Sequence, residues 1–137
     1  MTLVHGNFNE RRLFMSDMDS ILTSVKKLIG IDKEDTAFDP DVIMHINSSF
    51  LVLSQLGVGP DEGFYINDDT AVWTDFISNN MLLLNYVKTF VYLKAKLVFD
   101  PPSSSIAVQS MQEMVEEHEW RIVHENEKNT GSGSTTP

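Results

Sequence analysis

The segment at residues 47–75 limits the possible folds more than any other part of the chain, because it combines the patterns of two helices, a turn and a short apolar run. An apolar helical pattern leads into it and stops at Leu56-Gly57, since glycine readily adopts the left-handed conformation that ends a helix. Pro60 follows, and proline prevents the helix from resuming. The segment then continues through an acidic turn, the apolar run 64–66 and a short Trp-containing helical pattern. The pattern indicates helices that are separated by ordered loops.

The glycine-rich run at residues 57–63 is predicted to be a turn and not a phosphate-binding loop. It follows a helix instead of a strand, and it includes a proline that has no amide donor. It also places Asp61 and Glu62 where an anion would lie. For the next three residues, 64–66, two interpretations stay open: a short strand, or an anchor that holds the loop against the core.

Composition favours one acidic domain with a core of ordinary size. The chain has 137 residues, of which 42% are hydrophobic, and its formal net charge is -10. That charge is opposite in sign to the basic surfaces that bind nucleic acid, so direct binding of nucleic acid is not expected. The absence of cysteine excludes disulfides, zinc-thiolate sites and thiol nucleophiles.

Neither a membrane span nor a signal peptide is predicted. The longest candidate for a span is residues 81–99, but lysines interrupt it. No continuous apolar run therefore reaches the ~18 residues that a span needs. Polar residues occupy the N-terminal positions where the continuous apolar segment of a signal peptide would lie. We therefore expect synthesis in the cytoplasm.

Apolar residues at helical spacing predict five helices, near residues 19–29, 40–56, 70–78, 80–99 and 104–126. The expected fold is all-α, a small helical bundle of about five helices with two long C-terminal helices. The candidate N-terminal caps, in chain order, are Asp17 or Asp19, then Asp39, then Asp68 and Asp69, then Asn79 or Asn80, and then Ser103, Ser104 or Ser105. Asp100-Pro101-Pro102 is the stop between the last two helices, because Pro101 cannot continue the amide ladder.

The two long helices carry opposite charges. The fourth helix is apolar over more than one stripe, so it packs on several sides, either within a monomeric bundle or also against a neighbouring subunit. The fifth helix has an acidic outer face, and its inner face is predicted to consist of Ile106, Ala107, Met111, Met114, Val115, His118 and Ile122. Attraction between the lysines of one helix and the glutamates of the other could act within a subunit or across a subunit boundary.

No motif predicts catalysis, a metal or a cofactor. The chain has no nucleophile elbow, no Walker lysine and no helical pair of metal-binding histidines. Residues 67–70 lack the ligand spacing of a calcium loop. His118 and His124 are six residues apart and point in different directions on a helix, so His118 is interpreted as a packing residue. The chain is not expected to be an enzyme.

The chain ends are interpreted as flexible, with an arm at residues 1–17, a helical domain at 18–128 and a Gly-Ser tail at 129–137. A second interpretation of the N-terminus stays open. Arg11-Arg12 could be encoded by AGGAGG, a ribosome-binding site at the usual distance before a start codon at Met15. Met15 would then be the native first residue, and a gene without AGGAGG at these codons would contradict that hypothesis.

Three motifs together resemble the head-tail connector (adaptor) proteins of tailed bacteriophages. They are Gln55-Leu56-Gly57-Val58-Gly59-Pro60, Trp73 with Phe76, and Phe99-Asp100-Pro101-Pro102. The resemblance extends over about residues 18–126. It implies a virion protein, made in the bacterial host cytoplasm, that forms a homo-oligomeric ring under the portal protein at the head-tail interface. DNA would pass through the channel of this ring without specific binding, and a head-completion (stopper) or tail protein would dock on it.

The same resemblance implies that free subunits can be monomers, and the interrupted apolar runs indicate that no membrane is involved. The resemblance, together with the apolar and charged character of individual residues, predicts a set of positions for protein-protein contacts. They are Val58, Asp61, Glu62, Phe64, Tyr65, Trp73, Lys88, Lys94, Lys96, Glu116, Glu119 and Arg121. The alternative function is a soluble acidic regulatory module that masks a basic partner, and it predicts salt-sensitive one-to-one binding.

Overall fold

A computed structural model describes residues 19–131 of the chain. In this part the chain forms the helices α1 (Ile21–Leu28), α2 (Asp39–Gln55), α3 (Trp73–Phe76), α4 (Met81–Phe99) and α5 (Ser105–Gly131). The described residues form no β-strand, only an isolated antiparallel bridge between Ser20 and Val72. The all-α prediction with two long C-terminal helices is therefore confirmed. The predictions for the N-terminal arm, for a start at Met15 and for the tail beyond residue 131 lie outside the described residues.

Helix α4 is the centre of the bundle, because it packs against each of the other four helices. Its buried residues lie on more than one side, as the breadth of its apolar pattern predicted. The stripe predicted for helix α2 consists of Val42, Ile43, Ile46, Phe50 and Leu53. Ile43 is half-buried and the other four are buried. Complete burial of a large apolar side chain stabilises a fold by about 1.5–3 kcal/mol, so this shared core holds the helices together.

An aromatic cluster around Phe50 fixes the long loop between α2 and α4. The Phe50 ring lies 5.0 Å from Phe64 and 4.7 Å from Phe76, centroid to centroid. Trp73 completes the cluster at 6.3 Å. Close aromatic pairs of this kind contribute beyond their buried area. Residues 64–66 are thus an anchor and not a strand.

Asn47 holds the same loop through two hydrogen bonds to one residue. Its Nδ2 donates to the carbonyl oxygen of Ile66 at 2.9 Å, and its Oδ1 accepts from the Ile66 amide at 2.7 Å. The side chain therefore satisfies both backbone groups of a buried residue that has no partner in a sheet. This polar clamp explains why an ordered loop can run through the core without a strand.

The predicted caps of the first two helices are wrong. Ser20, and not Asp19, caps α1, since its Oγ accepts from the Thr23 amide at 3.3 Å and donates to the Asp69 carbonyl at 2.7 Å. The other candidate for α1, Asp17, lies outside the described residues. Asp39 is the first residue of α2 and makes no capping bond, because its carboxylate pairs with Lys26 at 2.7 Å.

The third helix is shorter than predicted and begins at Trp73. Asp68 does not cap it, because the Asp68 carboxylate accepts from the amide and the hydroxyl of Thr70 and closes a local turn. Asp75 inside the helix stabilises its start instead, since its Oδ2 accepts from the Val72 amide at 2.9 Å. The other candidate, Asp69, contributes its backbone carbonyl to Ser20 and not a cap.

The caps of the last two helices agree with the sequence, but the end of α5 does not. Asn80 caps α4, accepting from the Leu83 amide at 3.0 Å, and Ser104 accepts from the Ala107 amide at 3.4 Å at the start of α5. Helix α5 continues to Gly131, although the prediction ended it near Asn126. Part of the predicted tail is therefore helical.

Candidate subunit interface

The loop residues among the predicted contact positions divide into buried and exposed groups. Val58 is buried and Phe64 is half-buried in the aromatic cluster, so both stabilise the subunit itself. Asp61 and Glu62 are exposed, and Tyr65 is 70% exposed. The exposed three remain predicted contact residues, whereas the side chain of Val58 offers no surface on the free subunit.

Trp73 is also a core residue of the subunit. Only 4% of it is exposed, and its Nε1 donates to Ser24 Oγ at 3.0 Å. The ammonium of Lys88 lies 5.9 Å from the centre of its ring, which is within cation-π range. Trp73 and Lys88 are therefore brought together, but as a contact within the subunit.

The two remaining lysines of α4 also have partners on their own helix or at its end. The Lys94 ammonium lies 5.2 Å from the Phe90 ring, and Lys96 pairs with Asp100 at 2.8 Å. This hydrogen bond raises the pKa of Lys96 above its ordinary value of 10.5. Between residues 19 and 131 no ion pair joins a lysine of α4 to a glutamate of α5. The predicted attraction between the two helices is not realised as an ion pair within the subunit.

A groove of about 370 Å³ lies along the junction between α4 and α5. Its apolar wall consists of Leu97, Val98 and Val115, while Lys94 lies on the α4 side and Glu116 on the α5 side. Two of the predicted contact residues therefore flank one apolar groove with opposite charges. Glu119 lies farther along α5, where it is half-buried.

Arg121 is exposed and belongs to a pair within α5. Its Nε and Nη2 donate to the same carboxylate oxygen of Glu117, at 3.2 and 2.8 Å. The guanidinium lowers the pKa of the Glu117 carboxyl, and that carboxylate in turn raises the pKa of Arg121. On an exposed helix face such a pair contributes little to stability, but it orients both side chains.

The apolar face predicted for α5 is partly wrong. Ile122 is buried and Val115 is half-buried against α4, but Ile106 is 76% exposed and Met114 is 43% exposed. His118 packs as predicted, with its ring 6.1 Å from Tyr86 of α4. Val115 and Ile122 lie on the side of the helix that faces α4. A side chain two positions from either of them points about 200° around the axis and therefore away from α4.

The surface that α5 turns away from α4 was not predicted from the sequence. We call it the outer stripe, and it consists of Ile106, Glu113, Glu117, Trp120 and His124. Trp120 is 63% exposed, and its ring stacks on His124 at 5.0 Å with an angle of 8° between the planes. Glu113 and Trp120 are seven residues apart, as are Val115 and Ile122 on the opposite side of the helix. This spacing in the sequence could have predicted that Glu113 and Trp120 share an outward face.

Helix α2 carries a second exposed apolar surface, the α2 stripe, made of Met44, Ser48, Leu51 and Gln55. Met44 and Leu51 are 62% and 61% exposed, and no charged residue lies between them in the stripe. The α2 stripe lies on the side of α2 that is opposite to the face packed on α4. Exposed apolar surfaces that are concentrated on one helix face are typical of protein-protein contact sites.

A family model described as phage connector protein matches residues 21–129. The chain belongs to the phage connector protein family. The match includes all of α1 to α4 and nearly all of α5, so it applies to the whole bundle. No curated protein and no solved structure matches the chain.

The resemblance to phage connectors is thus confirmed at the level of the family. The connector has no described helix that is long and apolar enough to cross a membrane. Within residues 19–131 no group of three or more His, Asp or Glu side chains could hold a metal ion. The described surface of this connector has an exposed apolar face on α2, an exposed face on α5 that combines Trp120 with glutamates, and an apolar groove with charged flanks.

Proposed function

We propose that this connector is a structural virion subunit that forms a homo-oligomeric ring under the portal protein of a tailed phage. The ring extends the DNA channel and provides a docking surface for a head-completion (stopper) or tail protein. The family match over residues 21–129 carries this proposal. The mechanism is assembly and involves no chemical reaction.

The two exposed helix faces support a ring in particular. A closed ring is built from head-to-tail contacts, so each subunit needs two different surfaces that fit one another. The outer stripe on α5 and the α2 stripe lie on different helices, and each points away from α4. Exposed apolar side chains that share one helix face, as Met44 and Leu51 do, are typical of contact surfaces.

The charge of the subunit suits a channel for DNA. With a net charge of -10, a ring of such subunits repels the phosphate backbone and lets DNA pass without specific binding. The same charge opposes association of free subunits. A monomer in solution agrees with the proposal, because the portal holds neighbouring subunits at a high effective concentration.

The test is quantitative peptide mass spectrometry on purified particles of the source phage. We expect many copies per particle, in a fixed ratio to the portal protein, with peptides of a known tail protein as the internal standard. Absence from particles that contain portal and tail proteins would refute the connector role. Salt-sensitive one-to-one binding to a basic protein outside the particle would then favour the acidic regulatory module.

A further inference from the structure

The outer stripe of α5 has the properties of a binding site that is not filled within the subunit. Trp120 is 63% exposed at its centre, and exposed tryptophans are among the strongest anchors of protein interfaces. The carboxylates of Glu117 and Glu113 lie about one and two helical turns before it, respectively. Arg121 binds only one carboxylate oxygen of Glu117, so the second oxygen is available to another donor. The ligand for this stripe must combine positive charge with apolar side chains.

Residues 11–15 of the chain have that combination. Their sequence is Arg-Arg-Leu-Phe-Met, and it includes two of the three arginines of the whole protein. A guanidinium can pair with a carboxylate through two hydrogen bonds and can also stack on a tryptophan ring. Leu13 and Phe14 supply apolar surface beside the arginines. The segment is complementary to the outer stripe in both charge and polarity.

The position of Asp19 indicates that the segment reaches another subunit and not its own. Asp19 lies beside Leu84 and Lys88 of α4, around one small cavity. Tyr86, which contacts α5, points about 200° away from both of these residues on the helix. The chain therefore leaves the described bundle on the side of α4 that faces away from α5.

The length of the segment leads to the same conclusion. Leu13 is six residues before Asp19, so an extended chain carries it at most about 21 Å. Two helices in contact, each about 10–12 Å wide with side chains, measure about 20–24 Å across, and a path around them is longer. Even a fully extended segment therefore only matches the width of two helices, and this disfavours a contact between its apolar part and the outer stripe of its own α5. A neighbour placed beside the α4 surface at Asp19 can present its α5 within reach.

We propose that the outer stripe of α5 binds residues 11–15 of a second copy of this chain. Arg11 and Arg12 pair with Glu113 and Glu117, and Leu13 and Phe14 cover Trp120. The contact joins two different surfaces of identical chains, so it links subunits head to tail. It rests on the proposed ring. It also requires residues 11 and 12 in the native protein, and therefore a start before Met15.

Photo-crosslinking between two isotopically distinct full-length chains tests this contact. Phe14 is replaced by p-benzoylphenylalanine in an unlabelled chain, which is mixed at high concentration with an unmodified ¹⁵N-labelled chain and irradiated. We expect crosslinked peptides that contain the ¹⁵N label and map to residues 113–124. Trp120→Ala in the labelled chain should lower the yield about tenfold, as expected for loss of an aromatic anchor. Phe38→Ala, which removes a 50% exposed aromatic side chain outside both stripes, should leave the yield unchanged.

Charge reversal separates specific docking from hydrophobic adhesion. Arg11→Glu with Arg12→Glu in the probe chain should abolish the crosslink, and Glu113→Lys with Glu117→Lys in the labelled chain should restore it. Crosslinks within one chain, crosslinks to other regions, equal yields for the Trp120 and Phe38 variants, or no crosslink would each overturn the proposal. Particles that lack any peptide before Met15 would overturn it as well.

The two proposals can fail separately. A connector that is present in particles in fixed ratio to the portal, but that shows no selective crosslink, keeps its proposed function and loses this contact. A selective crosslink in a protein that is absent from particles keeps the contact and removes the connector role.

Discussion

Lys26 shows how one residue can organise the start of the bundle. Its ammonium is buried and contacts three acceptors: the carboxylate of Asp39 at 2.7 Å and the carbonyls of Lys33 and Asp35 at 3.1 and 2.8 Å. A buried cation is tolerated only when its donors are satisfied, and here each of the three donors has a partner. The contacts close the loop between α1 and α2 and hold the first turn of α2.

Lys26→Met should lower the free energy of unfolding by about 3 kcal/mol, because it removes the charge partner of a largely buried carboxylate. Chemical denaturation followed by far-ultraviolet circular dichroism measures the change. Lys96→Met is the matched control, since that variant breaks an exposed ion pair with Asp100 and should have a much smaller effect. Equal effects of the two variants would show that Lys26 does not organise the loop.

The turn at Asp68 makes a prediction about pH. The hydroxyl and amide of Thr70 donate to the Asp68 carboxylate and lower its pKa below the ordinary value of 3.8. Because the pKa is lower in the folded chain, this interaction stabilises the fold fully above about pH 4. The stabilisation is lost as the pH falls through the pKa of the folded state.

Thr70→Val should therefore move the pKa of Asp68 up toward 3.8, while the remaining amide bond keeps part of the shift. A carboxyl carbon NMR titration measures it. Thr89→Val serves as the control, because the Thr89 hydroxyl donates to the Asn85 carbonyl and to no carboxylate. An unchanged Asp68 titration in the Thr70 variant would contradict the assigned cause.

Among the structural elements, the turn after α2 is the most demanding. Gly57 and Gly59 both have positive φ, at 81° and 94°. They differ in their surroundings: a Cβ on Gly59 would clash with the ring of Phe76, whereas a Cβ on Gly57 would meet nothing within 4 Å. Gly59 therefore serves two purposes, since it makes the turn and lets the backbone lie against the aromatic cluster.

Gly59→Ala should destabilise the fold by about 3 kcal/mol or more, since it combines left-handed strain with a clash against a buried ring. Gly57→Ala should cost only about 1–2 kcal/mol, the strain alone. Thermal unfolding of the two variants side by side tests this difference. Similar stabilities would mean that Phe76 moves aside at little cost.

At the scale of the whole molecule, one contiguous core joins all five helices of residues 19–131. The cluster of buried residues includes members of α1, α2, α3, α4 and the α2-α3 loop, and Ile122 connects α5 to it. Asn126 of α5 also donates to the Gly57 carbonyl at 3.0 Å, which ties the helix to the turn after α2. A shared core of this kind favours cooperative unfolding in a single step.

Unfolding should therefore give one transition, with the same midpoint for helix content and for Trp73 fluorescence. Trp120→Phe makes Trp73 the only fluorescent tryptophan and leaves the core intact. In that background Phe50→Ala should lower both midpoints together, with a loss of about 3–5 kcal/mol. Leu51→Ala, on the exposed side of the same helix, should change stability by less than about 0.5 kcal/mol. Separate midpoints would show that α5 unfolds on its own.

The helices and the all-α class could be predicted from the sequence because their signals are local. Apolar spacing, glycine and proline act within a few residues, so the ends of α2 and the stop at Asp100-Pro101-Pro102 were predicted to within one or two positions. Asn80 and Ser104 were found for the same reason, since a cap bonds to an amide three residues away. The family followed from motifs of this local kind.

What could not be predicted depends on partners that are distant in the chain or on the side of a helix that has no partner. Asp39 loses its role as a cap because Lys26 lies beside it, and Ser20 is placed by the carbonyl of Asp69. Trp73 and Trp120 look alike in the sequence, yet one is buried against Phe50 and the other is exposed. Period and propensity specify which residues share a helix face, but burial depends on which faces meet, and that is a property of the packed bundle alone.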